Sequence, residues 1–297
     1  MDNFTLALNY NTIFLTLGKS DRYAWDLFSQ CRIYNEEDYA VLCGVDAGVI
    51  RENRETVCRC FDRLPRDTRI IKNGDALFPP DVDDVPFLYT RGDAALLASD
   101  GVSIVGTRHP SERGKELARQ ASTQLGNYGY TIVSGLALGI DGVAHIQALA
   151  DEKPTIAVIG TAIDQYYPAE HERLQNLIAQ NGLVVSMFHP CMKTQKYYFM
   201  QRNLLMSHIS RASLVVESSE GGGGVAQAKY TEKQGKKVLI FREVYENRTY
   251  LWPRNFINPV IVDKPENLPA ALKTSSGQIS KRKSREEDLG PGLFDLI

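Results

Sequence analysis

Ser103-Ile104-Val105-Gly106-Thr107-Arg108 begins the stretch, running to Leu149, whose reading decides the fold. The apolar run stops abruptly at Gly106. Ser111 follows where a helix N-cap belongs, and Leu117, Ala121 and Leu125 recur behind it at helical spacing. A second apolar run, Thr131-Ile132-Val133, stops at Ser134-Gly135. Gly139-Ile140-Asp141 then opens a helix on which Asp141 and His145, four residues apart, share one face. Strand, glycine turn and helix, given twice, predict a parallel sheet covered by helices. Ligands of such sheets sit at the carboxyl ends of the strands, where these turns fall.

The same pattern continues downstream. Thr155–Ile159 ends at Gly160, Leu183–Val185 at Ser186, Leu214–Val216 at Glu217 and four glycines, and Val238–Phe241 at Arg242. His171–Ala179 and Ala226–Gln234 are long enough for crossover helices, and Val260–Val262 suits an edge strand. Upstream, Pro79-Pro80 and the acidic run from Asp81 mark a boundary loop, and Pro86–Tyr89 reads as the first strand. Residues 1–65 show no strand alternation. Segments such as Tyr23–Phe28 and Glu36–Leu42 suit short amphipathic helices, so this part reads as a small helical domain that packs on the rest. The expected fold is α/β: an extended Rossmann-like, mainly parallel sheet with helices on both faces over residues 66–272. Residues 273–297 turn polar and charged, the composition of a disordered tail, and end in the apolar cluster Leu293–Ile297.

At 297 residues and a formal net charge of -2, composition neither requires nor excludes nucleic acid, because a basic cleft can hide inside a neutral total. The N-terminus lacks a signal-peptide pattern, and no apolar stretch is long enough to span a bilayer, so a cytoplasmic protein off the membrane is expected. The five cysteines are scattered, which favours reduced thiols and argues against a zinc site.

Glycines at successive strand ends, Gly106, Gly135, Gly160 and Gly221–Gly224, carry the chemical signal. Helix N-termini behind such turns favour anions, so a phosphate-bearing ligand is the functional reading; a tight turn is the structural one. No GxGxxG and no GxxxxGK[ST] is present. Arg108, two residues past a strand end, is placed either to grip a phosphate or to pair with a surface carboxylate. Arg202 and Asn203, which precede the apolar segment Leu204-Leu205-Met206, are candidates for the same cleft. Asp141 reads as a cap for backbone N–H groups and His145 as a satisfied, partly buried histidine. Tyr166–Pro168 and Tyr197–Phe199 offer aromatic faces for base stacking or for the core. Ser134 and Ser186 lack a nucleophile elbow. No catalytic residue, metal or cofactor is expected.

These motifs, together with Ala144-His145, Tyr167-Pro168, Arg202-Asn203 and Val215-Val216-Glu217, resemble the DprA/Smf family, in order and in spacing, from about Ala76 to Phe241. The resemblance implies a dimer that binds single-stranded DNA and helps load the RecA recombinase during DNA uptake and transformation. Arg108 then corresponds to a DNA-backbone contact, and Gly106, Ser134, Gly135 and Gly139 to the walls of its pocket. The candidate DNA- and phosphate-binding set is Gly106, Thr107, Arg108, Ser111, Ser134, Gly135, Gly139, Asp141, Gly160, Arg202, Asn203, Glu217, Gly222, Gly223 and Gly224. The chain departs from the family pattern at Met187, at Gly222–Ala228, where hydroxyl residues are missing, and at Arg242-Glu243. The tail reads as too short for the C-terminal winged helix that many members carry, and these departures leave repair or defence open as the pathway. The glycine run also resembles the loop of LOG-type nucleotide phosphoribohydrolases, with Ala228 where their catalytic glutamate stands; the alternative function is therefore a non-enzymatic sensor of a nucleotide-derived ligand. A protein-interaction scaffold without ligand is the third reading. The tail cluster resembles peptides that dock on the sliding clamp.

Overall fold

The computed structural model describes residues 1–18, 21–30, 35–82, 85–190 and 192–273. The tail and its apolar cluster lie outside the described residues.

Four helices come first: α1 (Asn3–Leu17), α2 (Asp21–Gln30), α3 (Glu36–Cys43) and α4 (Ala47–Phe61). Asp2, Asn35 and Asp46 cap α1, α3 and α4 by accepting from backbone N–H groups in the first turn. Two strands follow, β1 (Thr68–Lys72) and β2 (Phe87–Gly92), and then β3 (Gly101–Val105), α5 (Glu112–Asn127), β4 (Thr131–Ser134), α6 (Ile140–Ala150) and β5 (Thr155–Val158). The second half contributes α7 (Glu172–Asn181), β6 (Leu183–Ser186), α8 (Tyr198–Ile209), β7 (Ser210–Val215), α9 (Gly223–Lys233) and β8 (Lys237–Phe241). It closes with α10 (Arg242–Glu246), β9 (Val260–Val262) and α11 (Leu268–Lys273).

The nine strands form one sheet in the order β1-β2-β6-β5-β4-β3-β7-β8-β9. From β6 to β9 every neighbouring pair is parallel; β1–β2 and β2–β6 are antiparallel. Burial on both faces explains the unbroken apolar runs: every residue of β3, β4, β5 and β6 is buried. Strand β1 escapes the sequence reading because Thr-Arg-Ile-Ile-Lys has only Ile71 buried, as expected of an edge strand with one face in solvent. Asn3 Nδ2 donates to Ile70 O (3.1 Å) on this strand.

The core divides into two clusters. The larger joins Val102, Ile104, Ile132, Leu214 and Leu239 with residues of α5, α6, α8 and α9 and spans both faces of the sheet. In the other, Tyr10, Ile13, Phe28, Tyr39 and Phe61 of the four N-terminal helices pack with Phe87, Tyr89, Ala157, Val184 and Ile178. The thiols depart from expectation at one position: Cys58 is free, whereas Cys60 is disulfide-bonded. Two residues apart on α4, Cys58 and Cys60 face different sides of the helix and so meet different surroundings.

Candidate functional site

The chain builds β3 to β6 outward in one direction, then returns to lay β7 on the other side of β3. This reversal leaves a crevice at the carboxyl ends of β3 and β7, the topological switch point. The crevice holds a cleft of about 340 Å³, lined among others by Gly106, Thr107, Arg108, Asp141, Arg202, Asn203 and Gly222 to Gly224.

Its floor depends on two glycines. A Cβ on Gly106 would stand 2.5 Å from Glu217 O and 2.6 Å from Ile140 Cγ1, and a Cβ on Gly224 would stand 3.1 Å from Gly106 Cα. The loops after β3 and β7 therefore touch backbone to backbone, which brings the start of α9 against the end of β3.

Three helices begin at this edge, and their N-termini differ. On α5, Ser111 Oγ accepts from Gly114 N (3.0 Å), while the Glu217 carboxylate accepts from Ser111 N (3.1 Å) and Ser111 Oγ (2.8 Å). A protein carboxylate already holds that end. At α6, Ile140 N donates to Thr107 O (3.2 Å) and Gly142 N to Ala137 O (3.1 Å). At α9 the N-cap is Gly222, which has no side chain to cap with, and among the described residues the N–H groups of Gly223, Gly224 and Val225 find no acceptor. This is the N-terminus that remains open to an anion, and it faces the cleft.

The two arginines are used differently. Arg108 is exposed at the cleft and, among the described residues, makes no hydrogen bond or ion pair, so the surface ion pair is not formed. Arg202 is only 5% exposed. It donates to Gly135 O and to Val158 O (2.8 Å), and its Nε to Asn203 Oδ1 (3.0 Å). Asn203 Nδ2 in turn donates to Gly223 O (3.3 Å), which links the loop after β4 to the first turn of α9. Burial lowers the Arg202 pKa, opposed by the Asp141 charge, and Arg108 lowers it further. Burial likewise raises Asp141, opposed by Arg202 and by N–H donors. Asp141 Oδ2 accepts from Gly135 N (3.1 Å), the backbone role read from the sequence.

Other candidates are displaced. Ser134 is fully buried and donates to Ile104 O (2.6 Å), so it is no pocket wall. Ser111 and Glu217 hold each other at α5 and stand outside the lining, as does Gly139. Gly135 and Gly160 line a smaller recess of about 50 Å³ beside the cleft, together with Leu138, Tyr167, Pro168 and Phe199. Tyr167 and Phe199 meet there with ring centroids 5.1 Å apart. Tyr198 instead stacks on Phe188 in the core, and Tyr166 Oη donates to Asn176 Oδ1. His145 is fully buried and only half satisfied: Nδ1 bonds Thr155 Oγ1 (2.7 Å), whereas Nε2 has no partner. Burial pulls its pKa down to about 3, with the charge of His171 adding to the shift. The helix covering β4 is apolar around it, which the i,i+4 pairing with Asp141 conceals.

The sequence reading missed His109, Met206, Ser218, Ser219 and Gln227 as lining residues. Met206 lies one helical turn beyond Arg202, and Gln227 one turn beyond Gly223, so helical spacing was the available signal. Ala228 is fully buried. Among the described residues no group of three His, Cys, Asp or Glu side chains is placed to hold a metal, and no helix is long and apolar enough to cross a membrane.

Residues 69–256 match the family described as DNA recombination-mediator protein A. The chain is 34% identical over 158 residues to DNA processing protein DprA of Bacillus subtilis, covering 53% of this chain and 53% of that protein. It is 41% identical over 158 residues to protein Smf of Synechocystis sp., covering 52% of this chain and 40% of that one. The chain thus spans about half the length of these curated relatives or less. Its fold is similar to that of DNA processing protein A from Streptococcus pneumoniae, with a TM-score of 0.67 at 24% identity over 92% of this chain and 99% of that one. It is also similar to DNA processing protein A from Helicobacter pylori, a protein described for its single-stranded DNA binding mode. There the TM-score is 0.60 at 26% identity over 69% of this chain and 95% of that one.

Proposed function

The chain belongs to the DNA recombination-mediator protein A family, and from that premise we propose that it binds single-stranded DNA and mediates DNA processing and recombination. One observation carries the reading: the uncapped N-terminus of α9 and the unpaired Arg108 face the same cleft. A strand phosphate between them would take hydrogen bonds from the N–H groups of Gly223 to Val225, with the helix dipole favouring its charge. Arg108 would hold the same or the next phosphate in bidentate fashion. Arg202 and Asn203 act behind the contact, fixing the two loops that form it. Tyr167 and Phe199 beside Arg108 offer a base an aromatic surface.

The role is one of binding, with no catalytic step. A homodimer in the cytoplasm, hand-over of the strand to a RecA-type recombinase, and a clamp contact through Leu293–Ile297 belong to this proposal as its finer parts. So does the division into residues 1–65, 66–272 and 273–297. The sensor reading is not favoured, since the match over 69–256 is to a DNA-recombination family.

Titration of oligothymidylate against a salt series tests the contact. Arg108→Ala should weaken binding and flatten the log–log salt slope by about 0.7. A variant with the parent's affinity and slope would remove Arg108 from the interface.

A further inference from the structure

Between Arg59 and Lys72 the chain carries five basic residues against two acidic ones. One of those acids, Asp67, is already neutralised by Arg91, whose Nε lies 3.1 Å from its carboxylate. Arg63, Arg66 and Arg69 are exposed, and among the described residues their guanidinium groups make no hydrogen bond or ion pair. Arg66 and Arg69 flank a shallow cleft of about 370 Å³, separate from the one already described, with Thr68, Gly92 and the Arg91-paired Asp67 in its wall. The Thr68 hydroxyl is buried and has no hydrogen-bond partner. Two unpaired guanidinium groups beside one concavity suit an oxyanion.

Contacts join this cleft to the first one. Tyr167 lines the recess beside Arg108. Its neighbour Tyr166 donates to Asn176 Oδ1 (3.3 Å), which also accepts from Arg91 Nη1 (3.1 Å), and Arg91 holds Asp67 between Arg66 and Thr68. Asp164, on the same loop as Tyr166, feels the charge of Arg63. A relay of hydrogen bonds through Tyr166, Asn176 and Arg91 thus connects the loop from residue 160 to 168 with Asp67 in the second cleft.

We propose that Arg63, Arg66 and Arg69 form a second phosphate-binding patch that takes the single strand as it leaves the main cleft past Tyr167. The patch rests on the single-stranded DNA reading above, and it lies almost wholly before the residues that match the family. Non-specific strand binding of this kind follows the backbone charge, so the patch extends the footprint without reading sequence.

Oligothymidylates of about four and about thirty nucleotides separate the two clefts. Arg66→Ala with Arg69→Ala should bind the short oligomer as the parent does. It should bind the long one more weakly, with a salt slope shallower by about 1.4, two contacts at about 0.7 each. Over a fourfold rise in salt the parent then loses about sevenfold more affinity than the variant. Arg66→Lys with Arg69→Lys should keep the parent's slope. The patch is overturned if the alanine pair binds the long oligomer with the parent's affinity and slope, or if it loses short and long oligomers equally. A parent that binds neither oligomer defeats the single-stranded DNA reading itself and the patch with it. A parent that binds both, and depends on Arg108 but not on Arg66 and Arg69, defeats the patch alone.

Discussion

Replacing Arg202 with Met keeps the buried stem and removes the guanidinium, so its consequences can be worked from the contacts. Gly135 O and Val158 O each lose their donor, and both residues are buried. An unsatisfied buried carbonyl costs about 1–3 kcal/mol. Asp141, 6% exposed, also loses the cation that stabilises its charge. The two carbonyls together, with the longer-range charge effect on Asp141, put the expected loss at about 3–5 kcal/mol. At about 2–4 °C per kcal/mol for a chain of this order of size, Tm should fall by roughly 10 °C. Thermal and urea unfolding of Arg202→Met, Asp141→Asn and the double variant give the assay. Asparagine keeps an oxygen for Gly135 N but carries no charge. The double variant should therefore be clearly more stable than the sum of the two single losses predicts. An Arg202→Met protein melting within about 2 °C of the parent, or strictly additive losses, would refute a buried guanidinium clamp and return Arg202 to the list of direct ligand contacts.

His145 makes stability depend on pH. Its folded pKa of about 3 lies below the ordinary 6.5, so between these values the unfolded chain binds more protons and stability falls as pH falls. Above 6.5 the contribution is fully present; below it the parent should lose up to about 1.4 kcal/mol per pH unit relative to His145→Gln, and parallel urea midpoints for the two proteins would contradict this. Gly106→Ala should destabilise by about 1–3 kcal/mol, because the new methyl meets backbone at 2.5 Å. Gly224→Ala, with its closest contact at 3.1 Å and better helix propensity, should be near neutral, and the reverse order in chemical denaturation would show the floor is built differently. Glu217→Ala should lower stability by about 1 kcal/mol through the α5 cap while leaving the salt slope of oligonucleotide binding unchanged; a changed slope would put Glu217 in the interface.

Much of the fold was readable because strands buried on both faces must be apolar at every position. Ser103–Val105, Thr131–Val133, Thr155–Val158, Leu183–Val185 and Val238–Phe241 carry that demand in the local sequence, and the glycines after them mark where the chain turns. Arg108 was identifiable by the same route, as a cation just past a strand end. What local pattern cannot express is which distant group satisfies a given atom. Ser111 receives its carboxylate from Glu217, 106 residues away, and that contact closes α5 while α9 stays open. Arg202 and Arg108 look alike in a sequence, yet α8 carries one under the loop of Gly135, 67 residues distant, and leaves the other in solvent. Strand order decides both outcomes. Only when β7 returns to the far side of β3 do the start of α9, the end of β3 and Arg108 share one cleft. Periodicity reports how a residue is exposed to solvent; hydrogen-bond satisfaction at a helix end depends on partners that tertiary packing alone brings near.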